Sequence, residues 1–308
     1  MSPSSSLQTP GMTTAARGRL LVACAAVLWS ASGFFAKAPL FESWPVADRA
    51  ILLAFWRAVF ASVLLVPMVR KPRWTPGLIP MALLFVIMNY TYLSAMTRTS
   101  AANAIWLQNT APVWVFLVGV VFLGEPVQRG DWCLVLLGAV GVGFILVFET
   151  RGAQQAGVVF GLLAGITYAG VVLSIRLLRH EDAAWLIAVN HLATALVLSP
   201  YVVWKGTWPD GEQLVYLCGF GMLQMGLPYV LFARGLRAVT GHEAAGIALL
   251  EPVLVPVWVF LAWHGAPSYQ PPQWWTFVGG GLILAGLLLR LLASRSRGAT
   301  AANRPDTG

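Results

Sequence analysis

Ten long apolar runs divide this chain, and the polar and charged residues gather in the short stretches between them. The runs lie near residues 20–40, 47–69, 77–97, 101–123, 130–149, 156–176, 183–204, 213–236, 242–263 and 273–293. An α-helix needs about 20 mostly apolar residues to cross the hydrocarbon core of a bilayer, and each run is about that long. The connections hold the helix breakers and charges: VRKPRWTPG after the second run, GTWPDGEQ after the seventh. Trp44, Trp74, Trp132, Trp204, Trp274 and Trp275 stand at run ends, as an interfacial belt requires. The first dozen residues and the stretch from Ser294 are small and polar, a disordered composition. The pattern predicts an all-α integral membrane protein with ten transmembrane helices.

The runs also repeat. PVWVFL occurs at 112–117 and again at 256–261. Extended outward, AANAIWLQNTAPVWVFL (101–117) lies over AGIALLEPVLVPVWVFL (245–261). Downstream, QRGDWCLVLLGAVGVG lies over QPPQWWTFVGGGLILA, pairing Gln128 with Gln270 and Trp132 with Trp274. Upstream, NYTYLSAMTR (89–98) matches PYVLFARGLR (228–237), and LVPMV (65–69) matches LSPYV (198–202). AAVLWSASGFFAK (25–37) matches AGITYAGVVLSIR (164–176), pairing Trp29 with Tyr168 and Lys37 with Arg176. Each match pairs a span with the one five spans later. Five is odd, so the second unit enters the membrane from the opposite side. This is the inverted repeat of many secondary transporters, whose binding sites lie near the midplane between the repeats. The expected units are a tail (1–18), a first five-helix repeat (19–150), a second (151–293) and a tail (294–308). Arg17 and Arg19 before LLVACAAVL, with AKA at 36–38, also fit a secretory signal. The repeat argues for keeping that run as the counterpart of the sixth.

Composition agrees. The chain is 58% hydrophobic and 10% charged, against about 25% charged in soluble domains. The net charge of +8 does not make a nucleic-acid surface, because the basic residues sit in short loops. With the N-terminus in the cytosol, the inner segments hold 14 Lys and Arg, the outer loops 5, and Arg57 lies within a span. That bias predicts cytosolic termini on both ends. Cys24, Cys133 and Cys218 have no metal-type spacing, and each reads as a small apolar packer.

Several stretches resemble one family. They are TSAANAIWLQNTAPVWVFLVGVVFLGE (99–125), the pair Leu28-Trp29, Arg57 in FWRAVF, LLEPVLVPVWVFL, and GGGLILAG (279–286). Together they are similar to the drug/metabolite transporter superfamily, in particular its ten-helix carriers with two EamA-type repeats. The likeness covers about residues 20–293. It implies export or exchange of small metabolites, such as amino acids, by alternating access around a central cavity in a plasma membrane, here a bacterial inner membrane. In four-helix multidrug relatives a first-span glutamate couples proton to drug. Residues 20–36 hold no acid, so that role is not carried over. Gly124-Glu125 also faces Gly265-Ala266, so the symmetry has eroded there.

Charged groups near the bilayer centre cost about 2.5–3.5 kcal/mol on insertion scales and stand as functional candidates. Glu251 is a candidate proton or cation site. Arg57 is a candidate carboxylate grip, or one half of a structural ion pair. His191 is a candidate proton relay or an interhelical hydrogen-bond partner. Pro112, Pro252 and Pro256 are candidate hinges. Pro256 has no N–H to return to the carbonyl of Pro252, which leaves that oxygen free to face a cavity. Trp29, Asn89, Tyr90, Trp106, Gln108, Asn109, Tyr168 and Gln224 are candidate substrate contacts, with Tyr92 and Tyr229 beside them. Amides and aromatics of this kind suit an amphipathic organic solute. The GxxxG at Gly161–Gly165, with Gly138, Gly141, Gly279 and Gly280, predicts close helix packing. Packing of this kind also serves subunit pairs, so a homodimer is among the partners the sequence allows, besides the lipid bilayer and a small-molecule substrate.

A secondary carrier is the expected function, exporting a small organic metabolite. The alternatives are multidrug-type efflux by proton antiport and a membrane-embedded enzyme. Against an enzyme, the spans show no HExxH, GxSxG or paired aspartates. No GxxxxGK[ST] loop points to a nucleotide-driven pump. No cofactor or metal site is expected.

Overall fold

The computed structural model describes residues 13–127, 129–149 and 154–302. The tail at 1–12, Gln128 and Arg151 lie outside the described residues. Among the described residues, ten helices are long and apolar enough to cross a membrane. They are span one (Thr14–Ala36), two (Val46–Met68), three (Leu78–Arg98), four (Ala101–Leu123) and five (Asp131–Glu149) in the first unit. Span six (Gln155–Leu177), seven (Ala183–Lys205), eight (Gly211–Gly235), nine (Glu243–Trp263) and ten (Trp274–Ala293) form the second. Local chemistry sets the ends. Asp210 and Gln213 form a reciprocal capping box at the start of span eight. Gly124 and Gly206 close spans four and seven with φ of 63° and 64°, a conformation that favours glycine. The last helix continues to Ala302, so the polar stretch after Ser294 is helical there rather than irregular.

Packing shows the duplication directly. Spans two and seven, counterparts of each other, pack together, and so do spans five and ten. Span one packs on spans eight and nine, while its counterpart, span six, packs on spans three and four. The correspondence reaches single residues. Gly18 on span one lies so close to Ala238 that a methyl group would sit 2.8 Å from it. Gly157 on span six meets Thr99 the same way, at 2.7 Å. Gly157 and Ala238 are the repeat counterparts of Gly18 and Thr99. Each unit therefore completes the other's helix contacts across the interface.

The expected glycine contacts are made within the chain. Gly161 and Gly165 seat span six against Leu107 and Thr110 of span four, and Gly141 and Gly279 bring spans five and ten together. Trp74, Trp132, Trp204 and Trp274 are exposed, as a belt residue should be. Trp44 and Trp275 differ. Trp44 is buried and donates to Gln213 Oε1 at 3.1 Å, and Trp275 donates to Glu149 Oε1 at 3.1 Å. The cysteines are free, and Cys24 and Cys133 are exposed on the helix surface rather than packed inside.

Candidate functional site

Several spans are interrupted. Span four is two helices, Ala101–Gln108 and Ala111–Leu123, and span nine is Gly241–Ala248 and Leu250–Trp263. In each, the break comes just before a proline, Pro112 or Pro252. Pro112 is the second residue of its half-helix, where a missing N–H costs little. Pro256 lies inside its half-helix and withholds the bond that the Pro252 carbonyl would receive. Trp106 supplies it instead. Its indole N–H donates to Pro252 O at 2.9 Å. The Trp106 ring is 5% exposed, lies edge-on to Phe277 and fills the space over Gly280, where a methyl would come within 1.8 Å of it. So the Pro252 carbonyl does not face a cavity; the first repeat has taken it.

Span one breaks at Ala31, between helices Thr14–Ser30 and Ser32–Ala36. The Trp29 carbonyl accepts from Gln224 Nε2 at 2.9 Å. Gln224 sits in a π-helical turn of span eight, Met222–Gly226, and such turns often mark functional positions.

Arg57 lies where spans two, three and eight meet. Gly221 lets span eight close onto the backbone at Arg57. The guanidinium is 1% exposed. Nη2 donates to Asn89 Oδ1, and the group lies over the Phe220 ring at 4.9 Å and near the Tyr92 ring at 6.0 Å. Tyr92 shares a hydrogen bond with Ser32 across spans one and three, 2.7 Å. Among the described residues Arg57 has no carboxylate within ion-pair distance. The structural pair with Glu251 is therefore not made. Arg57 sits in an amide and aromatic setting instead.

Glu251 is half-buried at the start of the second half of span nine. Tyr92, Tyr168 and Tyr229 are all within electrostatic reach of its carboxylate. Tyr229 packs edge-on against Trp29, with ring centroids 5.2 Å apart, and against His191 at 6.3 Å. His191 is fully buried and also edge-on to Phe85. Among the described residues neither of its ring nitrogens has a hydrogen-bond partner, so the interhelical hydrogen bond is not formed.

Trp29, Arg57, Asn89, His191 and Gln224 thus belong to one neighbourhood, drawn from spans one, two, three, seven and eight; Glu251 of span nine is within electrostatic reach of its tyrosines, as is Tyr168 of span six, which is itself exposed. The other candidates stand apart from it. Tyr90 packs edge-on to Phe160 of span six. Gln108 Nε2 reaches Met88 Sδ at 3.4 Å. Asn109 Nδ2 donates to Ile105 O at 2.9 Å, which finishes its own half-helix. Trp106 is packed as described. Sequence reasoning missed Phe220 and Ser32. Phe220 follows one glycine and precedes another, and that was the sole local hint of a close crossing.

The EamA-like transporter family model matches residues 16–147 and again 155–292, one match for each repeat. A transporter of uncharacterized activity from Archaeoglobus fulgidus is 27% identical over 291 residues, 88% of this chain and 96% of the relative. A second from that organism is 25% identical over 250 residues, 79% of this chain and 87% of the relative. The pseudopaline exporter CntI of Pseudomonas aeruginosa is 24% identical over 247 residues, 77% of this chain and 84% of the relative. A crystal structure at 17% identity shares the fold, with a TM-score of 0.60 over 90% of this chain and 98% of that one.

Proposed function

This chain belongs to the EamA-like transporter family, and from that premise we propose that it is a secondary carrier exporting a small organic metabolite by alternating access between its two repeats. One observation carries the reading: interrupted helices from both repeats converge on a single polar and aromatic neighbourhood around Arg57 and Glu251. Irregular backbone inside a membrane helix is tolerated where it is buried in protein or lines a cavity, and in transporters it marks the substrate site. The direction follows the likeness to the pseudopaline exporter. The seat is the cytoplasmic membrane of a bacterial cell with both termini inside, which the Lys and Arg bias supports.

Glu251 is the coupling group in this reading. It is a half-buried carboxylate at the head of a half-helix, within electrostatic reach of three phenols and not ion-paired to any described residue. Taking up a proton or a cation there neutralises a costly charge during the change of access. The test is uptake and efflux by reconstituted vesicles, with amino acids and amphipathic amines, with and without a pH gradient. Glu251→Gln is expected to keep exchange and lose gradient dependence. Unchanged gradient-driven transport removes Glu251 from the mechanism. Orientation is tested with Ser268→Cys in a cysteine-free background; labelling from the cytosol reverses the assigned topology.

A further inference from the structure

Arg57 is a buried cation with hydrogen-bond donors to spare. Its guanidinium has five N–H bonds. One Nη2 N–H is spent on Asn89 Oδ1, while Nε and Nη1 have no partner among the described residues. Asn89 is fully buried too, and with its oxygen fixed on Arg57 its Nδ2 also lacks one. The group therefore offers Nε, Nη1, the second Nη2 N–H and the Asn89 Nδ2, all donors. Leaving a buried charge uncompensated is strongly destabilising. The Phe220 face at 4.9 Å offsets part of that cost, but an aromatic face is no substitute for an oxygen at the guanidinium edge.

We infer that this cluster is a carboxylate subsite, in which Arg57 and Asn89 hold a carboxylate of the carried molecule beneath the Phe220 and Tyr92 rings. The inference rests on the carrier reading above and adds the chemical class of the substrate. The second Nη2 N–H makes a planar fork with the neighbouring Nε–H or Nη1–H that matches two coplanar oxygens, and the Asn89 amide adds a further donor. A phosphate dianion is a poorer match, because one guanidinium is the whole positive charge of the cluster. The rings exclude water from one side, which strengthens each charge-assisted bond. The carboxylate restores electroneutrality to a group that the fold has left unpaired. The site therefore discriminates an acid from its uncharged amide of the same shape.

The test uses the full chain in lipid nanodiscs. Thermal stability is read against matched pairs: benzoate and benzamide, 3-phenylpropionate and its amide, L-phenylalanine and L-phenylalaninamide, succinate and succinamide. At least one acid is expected to raise Tm by several degrees where its amide does not, and Arg57→Gln to abolish the response. Since Arg57→Gln is open to misfolding, Asn89→Asp is the second variant. It sets an internal carboxylate on the guanidinium, so ligand-free Tm is expected to rise while the response to acids disappears. Three results overturn the inference: no acid shifts the wild-type chain, amides match their acids, or Asn89→Asp responds as wild type does. Stabilisation by sodium chloride equal to that by the sodium salts of the acids also overturns it, since the cluster is then a general anion site. Vesicle uptake separates this inference from the carrier reading. An acid bound through Arg57 but never carried sinks the carrier and leaves the subsite. A carried compound without a carboxylate, indifferent to Arg57→Gln, does the reverse.

Discussion

In the first copy of PVWVFL the helix restarts at Ala111, and its proline sits at the second position; in the second copy the helix has already restarted at Leu250, and Pro256 lies well inside it. The six residues are identical, but their surroundings are not. Trp114 donates back to Thr110 Oγ1 of its own span at 3.1 Å. Trp258, its counterpart, donates to Ser30 Oγ on span one at 2.8 Å. Upstream, buried Trp106 and Leu107 in the first copy face exposed Leu250 and half-buried Glu251 in the second. Pro252 accounts for the difference, because it moves the second break one turn earlier and strands Pro256 within a helix. The hinge of span four is thus completed mainly by its own residues, and that of span nine by side chains from spans one and four. A hinge held from outside is one whose state other spans can set.

The largest expected effect comes from removing that outside hold. Trp106→Ala deletes a buried ring, at about 3–5 kcal/mol, and leaves the Pro252 carbonyl without its donor. Gly280→Val drives a side chain into the same ring. Thermal unfolding in nanodiscs is expected to show both variants strongly destabilised. The double variant should lose less than the two losses added, because the valine refills part of the space. Leu250→Ala, the counterpart of Trp106→Ala, is expected to cost under 1 kcal/mol, since Leu250 is exposed. Equal losses at Trp106 and Leu250 would break the comparison.

A smaller effect is expected at the prolines. Pro256→Ala restores an N–H that can bond the Pro252 carbonyl and release Trp106, an exchange worth about 1 kcal/mol. It should straighten the second half of span nine and slow transport about fivefold, with little loss of stability. Pro112→Ala, at a helix start, is expected to stay within about 0.5 kcal/mol and leave the rate unchanged. A rate loss at Pro112 but not at Pro256 would reverse the assignment of the coupled hinge.

Much of this was legible in advance, for physical reasons. The bilayer demands about 20 apolar residues per crossing, so the spans read directly from the chain, and an odd number of spans per unit dictates inversion. The glycines at 161 and 165 announced a close crossing because small residues have few other uses there. The partner of the Pro252 carbonyl was not legible. Pro256 shows that a donor is required, but Trp106 lies on the other repeat and reaches the carbonyl because Gly280, on a third span, leaves room for its ring. Arg57 was visible as a charge in a span. Its neighbours Asn89 and Phe220 depend on which faces of spans three and eight turn inward, and near-uniform hydrophobicity around a membrane helix leaves that unstated. Asn89 and Tyr90 are adjacent in sequence yet face different spans.

The smallest expected effect lies at the far ends of spans one and six, where the same erosion of symmetry recurs. Arg176, just within span six, meets Glu125 at 2.7 Å. Lys37, its counterpart one residue past span one, has Ala266 where Glu125 would be. It donates to Gln270 Oε1 at 3.2 Å instead. Burial, and then Arg49, pull its ammonium down from the ordinary 10.5 to about 7. Between those values the unfolded chain holds a proton that the folded one has released, so stability climbs with pH through that window; below about 7 both forms are protonated and the penalty is complete. Lys37→Met removes the titration. Relative to that variant, wild-type Tm is expected to rise by about 1–2 °C from pH 7 to pH 9. Ala266→Glu supplies the carboxylate that the second repeat lacks, raises the lysine toward its ordinary range and should flatten the same profile. Parallel profiles for wild type and Lys37→Met would show that this lysine is not held in a desolvating contact, and that the two ends differ in sequence without differing in electrostatics.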